Sequence, residues 1–343
     1  MAATSGDKRR LFAGHPERLI WPKAGEKSMD RRSVLAGMGV MAAAPAWAQG
    51  AAAPGDVPHW SAPVIDMHFH MRRDPRMNLA HQQGAGVTAA CLLTRTGAEA
   101  EVKALQAANP GMFPCYMVGY DVTKPDAEPV LTAAVKAGAR GIGELKYHVA
   151  ADGPEMRRIY DLCAELNVPV LIHFQEVTQA AAEGKYNEGI KRMAPILRQY
   201  HRTKFILHAD AFWANISADY DEKDPYPTGP IVRGGISDKL LSDFENVQGD
   251  LASNSGNNAL SRDPEFTVDF LKRHQDKLHF GSDCNCEDGR GGGAGQNSPR
   301  VAARIRGKCV ARETLRVLTA STTPEIFRKL TWTNAHRLMG MPA

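Results

Sequence analysis

The chain has 343 residues, 43% of them hydrophobic and 7% aromatic, with 31 glycines and 21 prolines, an ordinary globular composition that excludes a fibrous or low-complexity protein. Its formal charge of +4 comes from 42 basic against 38 acidic residues, but positions 1–48 hold eight of the basic and four of the acidic ones, leaving 34 of each sign in the remainder. A near-neutral body excludes the electrostatic footprint of a nucleic-acid binder.

Residues 31–48 read RRSVLAGMGVMAAAPAWA: paired arginines, a short run of small apolar residues, and the small-x-small pattern Ala46-Trp47-Ala48 that precedes a cleavage site. The apolar run is too short and too rich in Ala and Gly for a stable membrane span, and Ala36 to Ala46 lacks the polar face of an amphipathic helix. Asp30-Arg31-Arg32-Ser33-Val34-Leu35 resembles the twin-arginine export signal. That resemblance implies a signal segment over 1–48 cleaved after Ala48, the export machinery for folded proteins as a partner, and a periplasmic or otherwise exported destination. Met29 stands immediately before the signal while 1–28 is polar and unpatterned, so translation is expected to start at Met29. Residues 49–62, rich in Ala, Gly and Pro, are expected to form a disordered leader to a single domain over 63–343.

In that domain, apolar runs recur about every 25 to 40 residues. They predict strands over 63–69, 87–93, 113–119, 140–146, 168–174, 204–209, 246–252 and 278–283. Helical spacing fills 97–108, 125–137, 154–166, 187–200 and 263–275, with Gly153-Pro154 and Asp263-Pro264 as start signals. Continuous apolar strands alternating with helices argue for a parallel sheet. Eight such units, with no Gly-rich fingerprint after the first strand, predict an α/β fold closed as a (β/α)₈ TIM barrel rather than an open doubly wound sheet.

The first strand carries VIDMHFH, residues 64–70. Side chains alternate faces along a strand, so Asp66, His68 and His70 are expected on one face and Ile65, Met67 and Phe69 on the other. Two imidazoles on one face are half of a site for Zn, Fe, Ni or Cu. In a barrel of this kind catalysis sits at the carboxyl ends of the strands. Those ends carry His68 and His70, then Glu144, His173, His208 and Asp283, all of metal-ligand type and all facing one rim.

IDMHFH, GIGELK, VPVLIHF, ILHAD, FGSD and the terminal TWTNAHRLMG together resemble the amidohydrolase superfamily, and more closely its amidohydrolase-related branch of metal-dependent barrel hydrolases, over residues 63–340. The resemblance implies a first metal held by His68, His70 and Asp283 and a second held by His173 and His208, with Glu144 bridging. Zinc is the first expectation, and Mn, Fe or Ni also suit these donors. It implies a hydrolase that activates water against a small amide, ester, lactone or phosphoester, with Asp283 as general base returning the proton to the leaving group. Many members of the branch hold one metal and lack a carboxylate on the fourth strand, whereas Glu144 is more similar to the bridging Glu of the related metal-dependent deoxyribonucleases. One or two ions per chain are therefore both open. With one, His173 joins the first site, His208 polarises the water or the substrate carbonyl, and Glu144 carries protons or is structural. The branch also contains metal-dependent non-oxidative decarboxylases with a similar ligand set, the alternative activity. A third reading, a non-enzymatic binding protein on an inactivated barrel, expects lost ligands, and none of the six is lost.

Lys146 shares the face of Glu144 and either binds an anionic substrate or neutralises the ligands. His148, Gln175 and Asp210 lie one step beyond ligands and are candidate substrate contacts. The long segment 211–235, with Phe212, Trp213, Tyr220 and Tyr226, reads as a pocket cover or an oligomer contact, and the Gly-rich 287–296 as a mobile loop at the active rim. Of six cysteines, Cys91, Cys115 and Cys163 are expected in the core, while export would permit one bridge between Cys284 or Cys286 and Cys309. A structural zinc there wants four soft ligands, and only three cysteines are near. Oligomeric state has no signature in the sequence.

Overall fold

A computed structural model describes residues 57–341, apart from 180, 181 and 300. The proposed signal, the Met29 start and most of the leader lie outside the described residues. All eight apolar runs form strands: β1 (Ile65–His70), β2 (Ala89–Arg95), β3 (Cys115–Gly119), β4 (Gly141–Leu145), β5 (Val170–His173), β6 (Phe205–His208), β7 (Val247–Asp250) and β8 (Leu278–His279). They pair in parallel, each with the next, in a single eight-stranded sheet. β8 is shorter than predicted because the chain leaves regular pairing at Phe280. It still closes the barrel, through Met67 N–H donating to Phe280 O at 3.0 Å and Asp283 N–H donating to His68 O at 2.8 Å.

The crossover helices are α1 (Pro75–Ala85), α2 (Glu99–Ala108), α3 (Ala127–Lys136), α4 (Pro154–Leu166) and α5 (Met193–Gln199), preceded by a 3₁₀ turn over Ile190–Arg192. The helix predicted over 187–200 is shortened because Pro195 fits only the first turn of a helix. The segment read as a cover instead opens with α6 (Asp210–Ala214), which puts Phe212 and Trp213 fully in the core. Farther on come α7 (Ile236–Asp243), α8 (Ser253–Ser261), α9 (Pro264–Arg273), α10 (Val310–Ser321), α11 (Pro324–Arg328) and, after a π turn over Lys329–Thr333, α12 (Asn334–Met339). No helix among the described residues is long and apolar enough to cross a membrane.

Two apolar layers result. Between sheet and helices lie residues such as Leu92, Val118, Ile142, Ile172 and Leu207. Inside the barrel are Ile65, Met67, Cys91, Cys115, Met117, Leu171 and Ile206, joined by Ala335 and Met339 of α12, which forms the floor. Asn334 anchors that helix by donating to Gln275 O at 2.7 Å and Leu278 O at 2.9 Å.

The expected alternation in β1 is corrected by a bulge. Ile65 and Met67 face the barrel interior, but Phe69 lies in the outer layer, and the register against β2 shifts between Asp66 and Phe69. One extra residue reverses the phase of the strand, so Asp66 does not share a surface with the histidines. Its buried carboxylate instead accepts from Ser282 N at 2.8 Å and Ser282 Oγ at 2.5 Å, tying β1 to the end of β8.

Candidate metal centre

The histidine pair is delivered by that bulge. His68 and His70 turn inward at the carboxyl end of β1 with their Nε2 atoms 3.2 Å apart. On the opposite side β4 is irregular in the same way: its register against β5 shifts between Ile142 and Leu145, both in the outer layer, and Glu144 is turned into the barrel. Gly143 permits this because its φ of 144° disfavours other residues, and a Cβ there would lie 2.8 Å from Leu171 O. β5 and β6 alternate regularly, bringing His173 and His208 in beside each other across the register pair His173 and His208.

Glu144 sits between these groups. Its Oε2 is 3.3 Å from His70 Nε2 and 3.9 Å from His68 Nε2, while its Oε1 is 2.6 Å from His173 Nδ1 and 3.7 Å from His208 Nε2. Asp283 closes the ring, with Oδ1 3.5 Å from His70 and 4.0 Å from His68, and Oδ2 3.9 Å from His208. All six sequence-selected ligands therefore converge. Within them His68, His70 and Asp283 form one compact triad and Glu144, His173 and His208 another, the donor atoms of each lying within 4.8 Å of one another.

A seventh group was missed by the sequence reading. Asp250 ends β7 with Oδ2 2.6 Å from His68 Nδ1 and 3.4 Å from His208 Nδ1, completely beneath the histidines. Hydrogen bonding at Nδ1 leaves Nε2 of His68 facing the cluster, the usual way a carboxylate orients an imidazole that can ligate a metal. The signal was available, since Asp250 stands at a strand end like the other six. Gly281 lets β8 approach closely: a Cβ there would lie 2.4 Å from Asp250 Oδ1 and 2.7 Å from His68 Cβ.

The electrostatics suit a cation. Burial opposes ionisation of Glu144 and Asp250, yet the charge of His173 beside the first and of His68 beside the second holds both carboxyls below their ordinary range. Burial likewise works against a charged His68, but Asp250, Asp283 and Glu144 overcome it and raise its pKa to about 10. His208 goes the other way, down to about 4, through burial and then the charge of His68. Its ring is fully buried and neither nitrogen has a hydrogen-bond partner among the described residues. A neutral imidazole with unused donors beside ionised carboxylates is a donor set that fits a divalent cation.

The candidate substrate contacts separate. Lys146 lines a cavity of about 430 Å³ together with His173, Asp283, Tyr226, Gln179 and Asn254. Its ammonium is 3.6 Å from Glu183 Oε1 and 4.7 Å from the Tyr186 ring centre, so its ionic partner is Glu183 and not Glu144. Gln175 is fully buried, with Oε1 3.3 Å from His173 Nε2 and its amide N donating to Gly184 O, which makes it a positioning group for the imidazole. His148 is exposed, stacked on Tyr186 at 4.3 Å with Nδ1 2.7 Å from Lys185 O. Asp210 is buried, and burial pushes its pKa up to about 6 against the charge of His173. Of the aromatic residues in 211–235, Tyr226 lines the cavity and Phe212 and Trp213 do not.

No protein-family model matches the sequence, and no curated protein matches it. Solved structures do match. A probable 2-pyrone-4,6-dicarboxylic acid hydrolase from Acinetobacter baumannii with citric acid bound is 13% identical with a TM-score of 0.50, the match covering 82% of this chain and 100% of that one. An amidohydrolase from Burkholderia multivorans with bound HEPES gives the same identity, coverage and score: 13%, 82% and 100%, and 0.50. A 2,6-dihydroxybenzoate decarboxylase from Rhizobium is 12% identical with a TM-score of 0.47, covering 81% of this chain and 98% of that one. What the first two share with this chain is architecture: it has the (β/α)₈ barrel fold of amidohydrolase structures.

Proposed function

We propose that this chain is a metal-dependent hydrolase of the amidohydrolase-related kind, acting on a small amide, ester, lactone or phosphoester. The observation that carries the reading is the division of Glu144, one oxygen turned to His68 and His70 and the other to His173 and His208. His68, His70 and Asp283 would hold one divalent cation and His173 and His208 a second, with Glu144 shared. When bound, such ions supply Lewis acidity that makes water nucleophilic at neutral pH.

The side chains do the rest. Asp250 fixes the His68 tautomer, and Gln175 fixes the His173 ring. Asp283 is the most open of the three site carboxylates, 24% exposed against 9% for Glu144 and 2% for Asp250, and it lines the cavity. It is placed to take the proton of the attacking water and to return it to the leaving group. Lys146, the cation of the cavity wall, would orient an anionic group of the substrate.

Incubation of the metal-loaded protein with panels of lactones, esters, amides, phosphoesters and aromatic acids tests the reading, with released acid and released CO₂ followed separately. Acid release that is lost on chelation is expected. CO₂ without hydrolysis would replace the hydrolase with the decarboxylase, and less than about 0.3 equivalents of bound Mn after loading, an ion that suits imidazole and carboxylate but not thiolate, would favour the inactivated barrel.

A further inference from the structure

We propose that His81, Cys284, Cys286 and Cys309 form a second metal site, closed and structural, which binds a zinc-type ion through three sulfurs and one nitrogen. Their donor atoms all lie within 4.8 Å of one another. Cys284 Sγ is 3.3 Å from Cys286 Sγ and 3.9 Å from Cys309 Sγ, and Cys309 Sγ is 4.0 Å from His81 Nε2. Tetrahedral bonds of about 2.3 Å to sulfur and 2.0 Å to nitrogen require S···S edges of about 3.8 Å and S···N edges of about 3.6 Å. These three edges lie within about 0.5 Å of those lengths and the other pairs are within 4.8 Å, so closing on an ion takes side-chain shifts of about an ångström.

Backbone amides are aimed at two of the three sulfurs. All four side chains are buried, none more than 3% exposed. The Val310 N–H donates to Cys284 Sγ at 3.3 Å, and the N–H groups of Gly289 and Gly291 are directed at Cys286. Amides aimed at sulfur are the outer contacts that orient a thiolate ligand and stabilise its charge. His81 Nε2 faces the sulfurs, while its Nδ1 has no hydrogen-bond partner among the described residues. All six cysteines of the chain are free thiols, so the bridge permitted by sequence is absent. A bridge would in any case use two of the three sulfurs and leave the third buried beside a histidine. The fourth ligand that spacing alone did not supply comes from α1, more than two hundred residues before Cys309 in the chain.

Four protein ligands and no exposed member leave no open position, which makes the site structural and not catalytic. Its place in the fold gives it a job. Cys284 follows Asp283, and the loop from Cys284 to Cys309 contributes Asn285, Gln296 and Ile305 to the cavity wall. Arg72 reinforces the same corner by donating to Cys284 O and Cys286 O. An ion here pins the β8 loop to α1, with release of the three thiol protons. The Gly-rich segment 287–296 is thereby the wrapping of a metal ligand, with Asp288 accepting from the N–H groups of Arg290 and Gly292.

The proposal does not rest on the hydrolase reading, and its test reads sulfur, which the other site lacks. The full protein, loaded with Co²⁺ in place of zinc, is expected to show a thiolate-to-cobalt charge-transfer band. The band should survive in Glu144→Gln and vanish in Cys309→Ser, with loss of one ion per chain. In the unmutated zinc protein, titration with a mercurial should release one ion as three thiols react. The absence of the band in the Co²⁺ protein, or a disulfide among these cysteines in peptide maps of the zinc-loaded protein, would overturn the proposal. If Cys309→Ser does not fold, these wild-type measurements still decide it.

Discussion

Glu144 is the residue on which the number of ions proposed for the His/Asp/Glu cluster turns. Its two oxygens face different histidine pairs, and the competing partner suggested by sequence, Lys146, is engaged with Glu183. Glu144→Gln is therefore expected to lower metal content at that cluster from about two equivalents towards one and to cut kcat by more than about a hundredfold. Elemental analysis and initial rates check this. One equivalent in both proteins at that cluster, counted apart from any ion on the cysteines, would establish a single-ion site, with Glu144 as a proton carrier, and would bring the decarboxylase forward. At this scale much was legible, because six ligands stand at strand ends where chemistry is expected. Asp250 was readable by the same rule but belongs to a strand that the motif comparison left without a ligand. His81 was not readable at all, since nothing in a helix sequence reveals which of its polar residues meets a loop from the far end of the chain.

At the scale of elements, strand existence was plain from apolar runs and turn residues, while strand phase was not. Alternation holds in β5, where Leu171 faces in, Ile172 out and His173 in. It fails in β1 and β4, the two strands whose ligands are re-aimed by register shifts. A bulge has no local apolar signature, so period-2 reading placed Asp66 with the histidines. A second element-scale feature joins α7 to α9: Asp238 lies 2.6 Å from His274 Nε2 and accepts from Arg273 at 2.6 and 3.0 Å. Burial opposes the Asp238 charge, but the His274 and Arg273 contacts lower its pKa from the ordinary 3.8 to about 2. A carboxyl lowered on folding stabilises above its unfolded pKa and loses that contribution as pH falls through the folded value. Asp238→Asn should thus cost about 2 kcal/mol at neutral pH. The difference from wild type should shrink between about pH 4 and pH 2, read by denaturant unfolding at each pH. A constant difference across that window would remove the role assigned to the charge.

For the whole molecule the eight-unit repeat was sufficient to give the barrel, and the address in front of it is a proposal about residues outside those described. We propose that Arg31 and Arg32 direct the chain to a route that carries folded proteins. Lysine at both positions should hold the protein in the cytoplasm, read by fractionation, and a double variant found in the periplasm at normal level would defeat the idea. The candidate ligands and the Asp250 that orients one of them come from β1, β4, β5, β6, β7 and the segment after β8, so they assemble only once the barrel has closed. On that proposal, metal capture would precede passage across the membrane.

The floor of the barrel sets the timing of that sequence. Ala335 and Met339 complete the inner layer, and Asn334 fastens their helix beneath β8. Until the ribosome has delivered these residues, the nascent barrel lacks its plug, although the arginine pair left the exit tunnel some three hundred residues earlier. On the export proposal the order of synthesis runs against the order of use, with the address emerging well before the barrel floor is built. On the same proposal, the chain would have to be held after its signal has emerged until the helix that forms the base of the barrel has been added.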